Sequence, residues 1–142
     1  MKNVKILFLI VVALGLADAV YLTYAHYANV PPYCPNAGII NCVKVTTSSL
    51  SAIMGVPIAV LGLVWFALMG MLAVLGVNDA MTNIWSMIGA AAVVYSTTGM
   101  WLVKAVCIWC TAMDIMIVLI LALVVFKRDV VFKKGLWDKS QL

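Results

Sequence analysis

Four apolar stretches, each long enough to cross a lipid bilayer, dominate this sequence. A membrane-spanning helix needs about 20 predominantly apolar residues, and the stretches cover residues 6–27, 56–77, 84–103 and 107–126. Hydrophobic residues make up 66% of the 142 residues, and charged residues only 10%. A water-soluble domain of this length needs more polar groups to cover its surface. The sequence therefore predicts an all-α membrane protein, a single domain in which four transmembrane helices form a bundle.

The first apolar stretch also has the features of a secretory signal peptide. Residues 1–19 have a basic start, an apolar middle and an Ala-x-Ala end, as signal peptides do. However, the apolar character continues through residues 20–28, which gives a segment long enough to span the bilayer. We therefore favour a retained first helix over a cleaved leader.

Basic residues cluster at the two ends of the chain. Two lysines start the chain and five basic residues follow the last apolar stretch, whereas only Lys44 and Lys104 lie between. Because Lys and Arg favour the cytoplasmic side, we predict a multi-pass plasma-membrane protein with both termini inside. The tail 127–142 would then be cytoplasmic, and the loop 28–55 would lie outside. This distribution fits a lipid bilayer as the partner and no nucleic acid.

All four cysteines fall on the predicted outer face, where disulfides form and persist. Cys34 and Cys42 lie in the long outer loop, with turn-forming residues between them that permit a bridge. Cys107 and Cys110 are three residues apart at the outer start of the fourth helix, so they share one helix face. The helix dipole favours a thiolate at that end. Thiol–disulfide exchange between the two pairs would pass two electrons.

Other interpretations of the four cysteines remain open. Together they could ligate one zinc ion, since sites with four cysteine ligands exist. They could instead form two inert disulfides, or remain as free, buried cysteines. A zinc site or inert disulfides would make the protein a membrane scaffold without catalytic activity.

Two carboxyl groups lie inside apolar stretches, where they are costly and are candidates for function. Asp114 follows Cys107 and Cys110 at helical spacing, so it lies on the same stripe of the fourth helix. Electrons leaving a dithiol at the membrane need an acceptor, and a lipid-soluble quinone reaches it from the bilayer. A neutral Asp114 would donate a hydrogen bond to such a quinone. Both Asp114 and Asp18 could instead hydrogen-bond neighbouring helices, and Asp18 could also belong to a proton route.

In their order along the chain, these features resemble the vitamin K epoxide reductase family in its small prokaryotic form. The family pattern is two loop cysteines, a serine, a short helical segment, and C-x-x-C at the start of the last helix. The matching parts of this sequence are Cys34, Cys42, Ser48, the stretch 48–62 and "CIWC" at 107–110. The first helix, at 15–27, also resembles prokaryotic members.

The resemblance implies a route for the electrons. Cys34 would exchange with a thioredoxin-like partner, and Cys42 would bridge to Cys107. Cys110 would then face a quinone of the ubiquinone or menaquinone type, and Ser48 would help to organise the site. The resemblance thus implies a quinone-dependent thiol–disulfide oxidoreductase with no metal.

The resemblance also implies where the quinone lies. The segment 48–54 would form a short partial helix over the quinone pocket, capped by the hydroxyl run 46–49. Ser51 and Asp114 stand where the animal enzymes have an asparagine and a tyrosine. This difference argues against reduction of vitamin K epoxide and leaves quinone reduction, with both residues as polar contacts. The remaining predicted walls of the pocket are Met54, Ile58 and Tyr95, although such residues are also common in helix-bundle cores.

Two comparisons refine this expectation. Many bacterial relatives carry a fused thioredoxin-like domain, and because this sequence stops at residue 142 we expect a separate redox partner. The unrelated bacterial disulfide-bond oxidases also have four helices and two cysteine pairs, but their C-x-x-C lies in the first outer loop. The order is reversed here, which favours the first family.

Overall fold

Four long helices form the framework of the protein. The computed structural model describes residues 2–35, 37–76 and 79–131. The helices are α1 (Lys2–Tyr27), the short α2 (Cys42–Thr46), α3 (Ile58–Leu75), α4 (Asp79–Val103) and α5 (Ile108–Val131). All four long helices have the length and hydropathy needed to cross a membrane. The predicted four-helix membrane bundle is confirmed.

Three helix ends extend beyond the apolar stretches that predict them, at the start of α1, the start of α4 and the end of α5. Helix α4 begins at Asp79 rather than 84, and α5 continues to Val131, into the predicted tail. Hydropathy marks only the apolar part of a helix, whereas backbone hydrogen bonds continue into polar residues. Helix α3 starts at Ile58, later than predicted, because Val56 and Pro57 belong to a strand. Residues 132–142 of the predicted tail lie outside the described residues.

Helix α1 lies at the centre of the packing and contacts both α3 and α5. Their shared core consists of large apolar side chains that are almost completely buried, with each helix contributing one face. Its members include Phe8, Val12, Leu22, Trp65, Phe66, Met69, Met113, Ile117 and Ile120. A Cβ at Gly15 would overlap the Phe66 ring, so the missing side chain allows α1 and α3 to approach closely.

Helix α4 is held by a small number of specific contacts. The indole Nε1–H of Trp65 donates to the carbonyl of Trp85 at 2.9 Å, and Trp85 donates to the carbonyl of Trp65 at 3.0 Å. One turn after Trp85, a Cβ at Gly89 would overlap the Trp65 ring. This reciprocal pair of tryptophans joins α3 to α4, which otherwise packs mainly against α5.

The loop between α1 and α3 is folded. After α2 it forms a 3-10 turn (Ser49–Ser51) and a hairpin of β1 (Ala52–Ile53) and β2 (Val56–Pro57), in which Ala52 pairs with Pro57. A short segment between the first two long helices is therefore confirmed. The predicted partial helix over 48–54 is shorter than expected, because Met54 and Gly55 have the positive φ angles of a tight turn.

The predicted hydroxyl cap of this segment is wrong. Ser48 occupies the N-cap position of the 3-10 turn but makes no side-chain capping bond. Its hydroxyl instead donates to the carbonyl of Val45 at 2.8 Å. Asn41 supplies a cap one helix earlier, where its Oδ1 accepts the N–H of Lys44 at 2.9 Å.

Candidate functional site

The outer loop and the start of α5 are joined by backbone pairing close to two of the cysteines. The N–H of Val106 donates to the carbonyl of Ile39 at 2.8 Å, and the N–H of Asn41 donates to the carbonyl of Val106 at 3.0 Å. The two segments run parallel here. Two cysteines follow these paired residues closely: Cys107 comes directly after Val106, and Cys42 comes two positions after Ile40. Both are completely buried.

The two cysteine pairs are in different redox states. Cys34 and Cys42 form a disulfide with a Cα–Cα distance of 6.0 Å, whereas Cys107 and Cys110 are free thiols. Cys34 is half-buried and Cys42 is fully buried, so Cys34 is the more accessible sulfur of the disulfide. A site made from all four thiolates would require reduction of this disulfide. No three His, Cys, Asp or Glu side chains converge to hold a metal ion within the described ranges.

Cys107 caps the N-terminus of α5 with its sulfur. The backbone N–H of Cys110 donates to Cys107 Sγ at 3.3 Å, and the N–H of Thr111 donates to the carbonyl of Cys107 at 2.9 Å. A side chain that accepts an N–H of the first turn is the usual arrangement at a helix N-cap. The predicted position of the dithiol at the start of this helix matches the structure.

The surroundings of Cys107 favour its thiolate form. The thiol of Cys110 and the backbone N–H groups of Cys110 and Trp109 lower the pKa of the Cys107 thiol. Burial and the negative charge of Asp18 act in the opposite direction but are outweighed. At neutral pH, a larger fraction of Cys107 is therefore in the nucleophilic thiolate form than for an ordinary cysteine.

A cavity of about 1060 Å³ opens beneath the outer loop and between the helices. Its wall is mostly apolar, with a few polar groups, which is the usual character of a site for a lipophilic ligand. Six of the residues predicted for the site line it: Ser48, Ser51, Ile58, Tyr95, Cys110 and Asp114. Cys110 is thus the sulfur that faces the cavity, while Cys107 lies behind it against the loop.

Met54 does not lie where the sequence predicts. It is at the tip of the β1–β2 hairpin with 99% of its surface exposed, and it is not among the described residues that line the cavity. The tight turn at Met54 and Gly55 points the hairpin tip outward, away from the helices. Ile53 and Pro57 on the two strands line the cavity instead.

The polar groups of the cavity are held in place by local hydrogen bonds. The hydroxyl of Ser51 donates to the carbonyl of Ser48 at 2.8 Å. The phenol of Tyr95 donates to the carbonyl of Leu50 at 3.3 Å, which ties α4 to the 3-10 turn. Asp114 is buried beside Ser96, and its Oδ2 has no hydrogen-bond partner. An unpartnered buried oxygen in the wall of a cavity is available to a ligand.

Ser96 was missed by the sequence analysis. The polar run in which it lies gives no sign of which hydroxyl faces the cavity, because neighbouring serines and threonines in α4 differ only in rotation around the helix. In contrast, the sequence singles out the neighbouring Asp114, because a carboxyl group inside an apolar stretch is rare.

A second group that sequence reasoning missed links the disulfide loop to the C-x-x-C segment. The backbone N–H of Tyr33 donates to the phenol oxygen of Tyr21 at 2.9 Å, and its carbonyl accepts the indole N–H of Trp109 at 2.7 Å. The rings of Tyr21 and Trp109 are in contact, with centroids 4.8 Å apart. We call these three residues the Tyr33 clamp. It holds the residue next to Cys34 against both α1 and α5.

These features define a class of protein: a multi-pass membrane protein with an oxidised outer cysteine pair, a reduced inner pair and a lipophilic cavity at the inner thiol. Residues 6–125 match the family model described as the vitamin K epoxide reductase family. The chain belongs to this family. The family consists of quinone-dependent oxidoreductases, so the protein is a membrane oxidoreductase. A comparison with curated proteins finds no match.

Proposed function

We propose that the protein is a thiol oxidase that makes disulfides in a separate thioredoxin-like partner and transfers the electrons to a membrane quinone. The observation that carries this proposal is the position of the two pairs. One sulfur of the inner pair, Cys110, lines the cavity. The other, Cys107, directly follows Val106, whose backbone pairs with the loop immediately before Cys42 of the outer disulfide.

The outer pair would receive electrons from the partner. A partner thiolate attacks Cys34, the more accessible sulfur, and the bond to Cys42 breaks. A second partner thiol then displaces Cys34, which leaves the partner oxidised and both loop cysteines reduced. The exposed side chains of Tyr33 and Ile39 flank this disulfide and offer apolar surface for docking.

The inner pair would carry the electrons onward. When Cys107 and Cys110 form a disulfide, Cys42 attacks Cys107 and releases the Cys110 thiolate. Cys34 then attacks Cys42, which restores the outer disulfide and leaves the inner pair reduced. This is the combination of redox states that the structure has.

The quinone would accept the electrons in the cavity. The apolar wall suits a lipid-soluble ring, and Asp114 and Ser51 supply polar contacts for its oxygens. Transfer of two electrons from Cys110 and Cys107 closes the inner disulfide, and the quinone takes up two protons to become a quinol. Ser48 supports this arrangement by accepting the Ser51 hydroxyl at its carbonyl.

The proposal is tested by anaerobic quinone reduction with the purified full chain and a dithiol donor. Wild type should turn over, whereas Cys110→Ala should not, because the thiol facing the quinone is lost. Cys34→Ala serves as a matched control. It should lose turnover with a thioredoxin-like donor but keep a single turnover from the prereduced inner pair. Absence of turnover in wild type, or full turnover in Cys110→Ala, would contradict the proposal.

A further inference from the structure

The carboxyl group of Asp18 is buried in the helix bundle without any hydrogen bond. Its side chain is 7% exposed, and both Oδ1 and Oδ2 have no partner. Leaving a buried carboxyl unsatisfied is costly, so such a group is usually explained by function. Asp18 is not among the described residues of the cavity wall, so a quinone in the cavity would not contact it.

Asp18 lies on the face of α1 that is directed toward the start of α5. It precedes Tyr21 by one turn on the same face of α1, and the Tyr21 ring contacts Trp109 inside the C-x-x-C segment. The carboxyl is near enough to interact electrostatically with both Cys107 and Cys110. Two carboxyl groups therefore lie near the inner thiols, and of these two Asp114 lines the cavity whereas Asp18 does not.

Among the described residues, the helices that pack against α1 place few other ionisable groups near Asp18. Helix α3, which packs against α1, contains no titratable side chain. On α5, the titratable groups facing α1 and the cavity are Cys110 and Asp114, with Cys107 directly before the helix. The unpartnered oxygen of Asp114 faces the cavity and is assigned to the quinone, and on α1 the neighbouring Tyr21 accepts a hydrogen bond from Tyr33.

Closure of the inner disulfide requires a proton acceptor. Oxidation of the two thiols to a disulfide forms one S–S bond, releases two protons and sends two electrons to the quinone. The quinone takes up two protons from water as it becomes a quinol, so the thiol protons can leave by a separate route. A thiol attacks only after it has lost its proton. In a water-poor bundle, that proton needs a carboxylate nearby, reached directly or through one water molecule.

We propose that Asp18 is the proton acceptor of the Cys107–Cys110 pair, receiving a thiol proton as the pair closes and releasing it toward the outer surface. This inference rests on the proposed quinone reduction. It assigns the two carboxyl groups different tasks: Asp18 takes a proton from sulfur, and Asp114 contacts the quinone. The outer disulfide exchange at Cys34 does not depend on Asp18.

The test is the single-turnover rate at which the prereduced full chain closes its inner disulfide with excess short-chain quinone, measured against pH. Asp18→Asn keeps the size of the side chain but removes the base. At neutral pH its rate should fall by about 10²-fold or more. The rate should recover as pH rises, because hydroxide replaces the carboxylate. The quinone concentration for half-maximal rate should stay unchanged, and Asp18→Glu should restore part of the rate.

Several results would overturn the inference. One is that Asp18→Asn closes the inner disulfide at the wild-type rate at every pH. Another is that its closure rate falls by the same factor at every pH. A third is that the substitution mainly weakens quinone binding. If Asp18→Asn does not fold, as judged by the Cys34–Cys42 disulfide, Asp18→Glu decides. The acid limb of its rate profile must then move relative to wild type, and an unmoved limb overturns the inference.

A second oxidant separates this inference from the proposed function. Diamide closes a dithiol by taking up two electrons and two protons, and it needs no quinone site. Slow, pH-sensitive closure by diamide in Asp18→Asn supports the role of Asp18 even if wild type does not reduce quinone. Equal closure rates in the variant and wild type overturn the role even if quinone reduction is observed.

Discussion

The sulfur of Cys107 both caps a helix and belongs to the reactive dithiol. It accepts the N–H of Cys110 at 3.3 Å, and it is completely buried next to the loop that carries Cys42. Hydrogen bonds to a thiolate stabilise the charged form, and here they outweigh desolvation. The hydrogen bond that caps the N-terminus of α5 therefore also favours the thiolate that takes part in disulfide exchange.

At the residue scale, we predict that Cys107 reacts as a thiolate at lower pH than an ordinary cysteine. In Cys110→Ser, where Cys107 is the remaining free thiol, the serine hydroxyl still donates to the sulfur. The alkylation rate should therefore have its midpoint below about pH 8.5, the value for a free cysteine. The sign follows from the lowered pKa of Cys107, since the thiolate persists as the pH falls. A small alkylating reagent and mass spectrometry provide the measurement.

The matched variant for this experiment is Cys110→Ala. It removes the side-chain donor while leaving the backbone N–H groups, so the alkylation midpoint should move upward relative to Cys110→Ser. Equal midpoints in the two variants would show that the Cys110 side chain does not stabilise the Cys107 thiolate.

At the scale of elements, the loop and helices are joined by a few polar contacts between otherwise apolar surfaces. The Tyr33 clamp fixes the residue before Cys34 to α1 and α5. The reciprocal bonds of Trp65 and Trp85 fix α4 to α3. Inside a bilayer, apolar contact alone gives little preference for one helix arrangement, so such contacts define the register.

The first element-scale prediction concerns the Tyr33 clamp. Trp109→Phe keeps an aromatic ring against Tyr21 but removes the indole N–H that donates to the Tyr33 carbonyl. Loss of this bond should destabilise the loop by about 1 kcal/mol and slow electron transfer between the cysteine pairs. Hydrogen exchange of residues 30–35 and the rate of disulfide transfer provide the measurements.

Trp101→Phe is the control for the clamp, because Trp101 lies on α4 with 79% of its side chain exposed. It should leave both measurements unchanged. If Trp109→Phe also leaves loop exchange and disulfide transfer at wild-type values, the clamp does not position Cys34.

The second element-scale prediction concerns the approach of α3 and α4. In Gly89→Ala the new methyl group would overlap the Trp65 ring, which cannot move aside without losing its hydrogen bond to Trp85. Overpacking of this kind costs about 1–3 kcal/mol. The free energy of unfolding in mixed detergent micelles should fall accordingly, and quinone reduction should weaken because Trp65 and Trp85 line the cavity.

Gly99→Ala on the same helix is the comparison for Gly89→Ala. A Cβ there would meet Leu50 only at 3.8 Å, an ordinary contact. Its free energy of unfolding should equal that of wild type or exceed it by up to about 1 kcal/mol, because alanine favours a helix over glycine. Equal destabilisation by both substitutions would argue against the specific overlap with Trp65.

At the scale of the whole molecule, all four cysteines lie at one end of the bundle. The backbone pairing of Ile39 and Asn41 with Val106 gathers the outer loop and the start of α5 there. The turn between α3 and α4 lies at the opposite end, since a four-helix bundle alternates direction at each connection. The start of α1 and the end of α5 also lie at that opposite end. Because basic residues are frequent near both chain ends, the positive-inside rule predicts that this end faces the cytoplasm.

The prediction at this scale is that the cysteine end faces away from the cytoplasm. In a chain whose four cysteines are replaced by serine, Ile39→Cys should react with a membrane-impermeant maleimide in intact cells, because Ile39 is 69% exposed in the loop. Ala80→Cys, exposed at the start of α4, should react only after the cells are permeabilised. The reverse labelling pattern would place the disulfide chemistry inside the cell.

Much of the fold followed from the sequence because the bilayer imposes simple rules on it. Each of the apolar stretches that predict α1, α3, α4 and α5 must satisfy its backbone hydrogen bonds internally, and a helix does so. Helical spacing alone put Cys110 and Asp114 on one stripe, and both line the cavity. The sequence by itself thus determined the four helices and that stripe of α5.

Only the tertiary structure decided what lies around those residues. Ser96 beside Asp114, Trp109 against Tyr21, and the outward position of Met54 depend on helix rotation and turn geometry, which pairwise spacing does not encode. The neighbours of Asp18 likewise come from packing between α1 and α5. Local periodicity specifies which face of a helix a side chain occupies, but the partner of that face is fixed only when residues distant in sequence pack together.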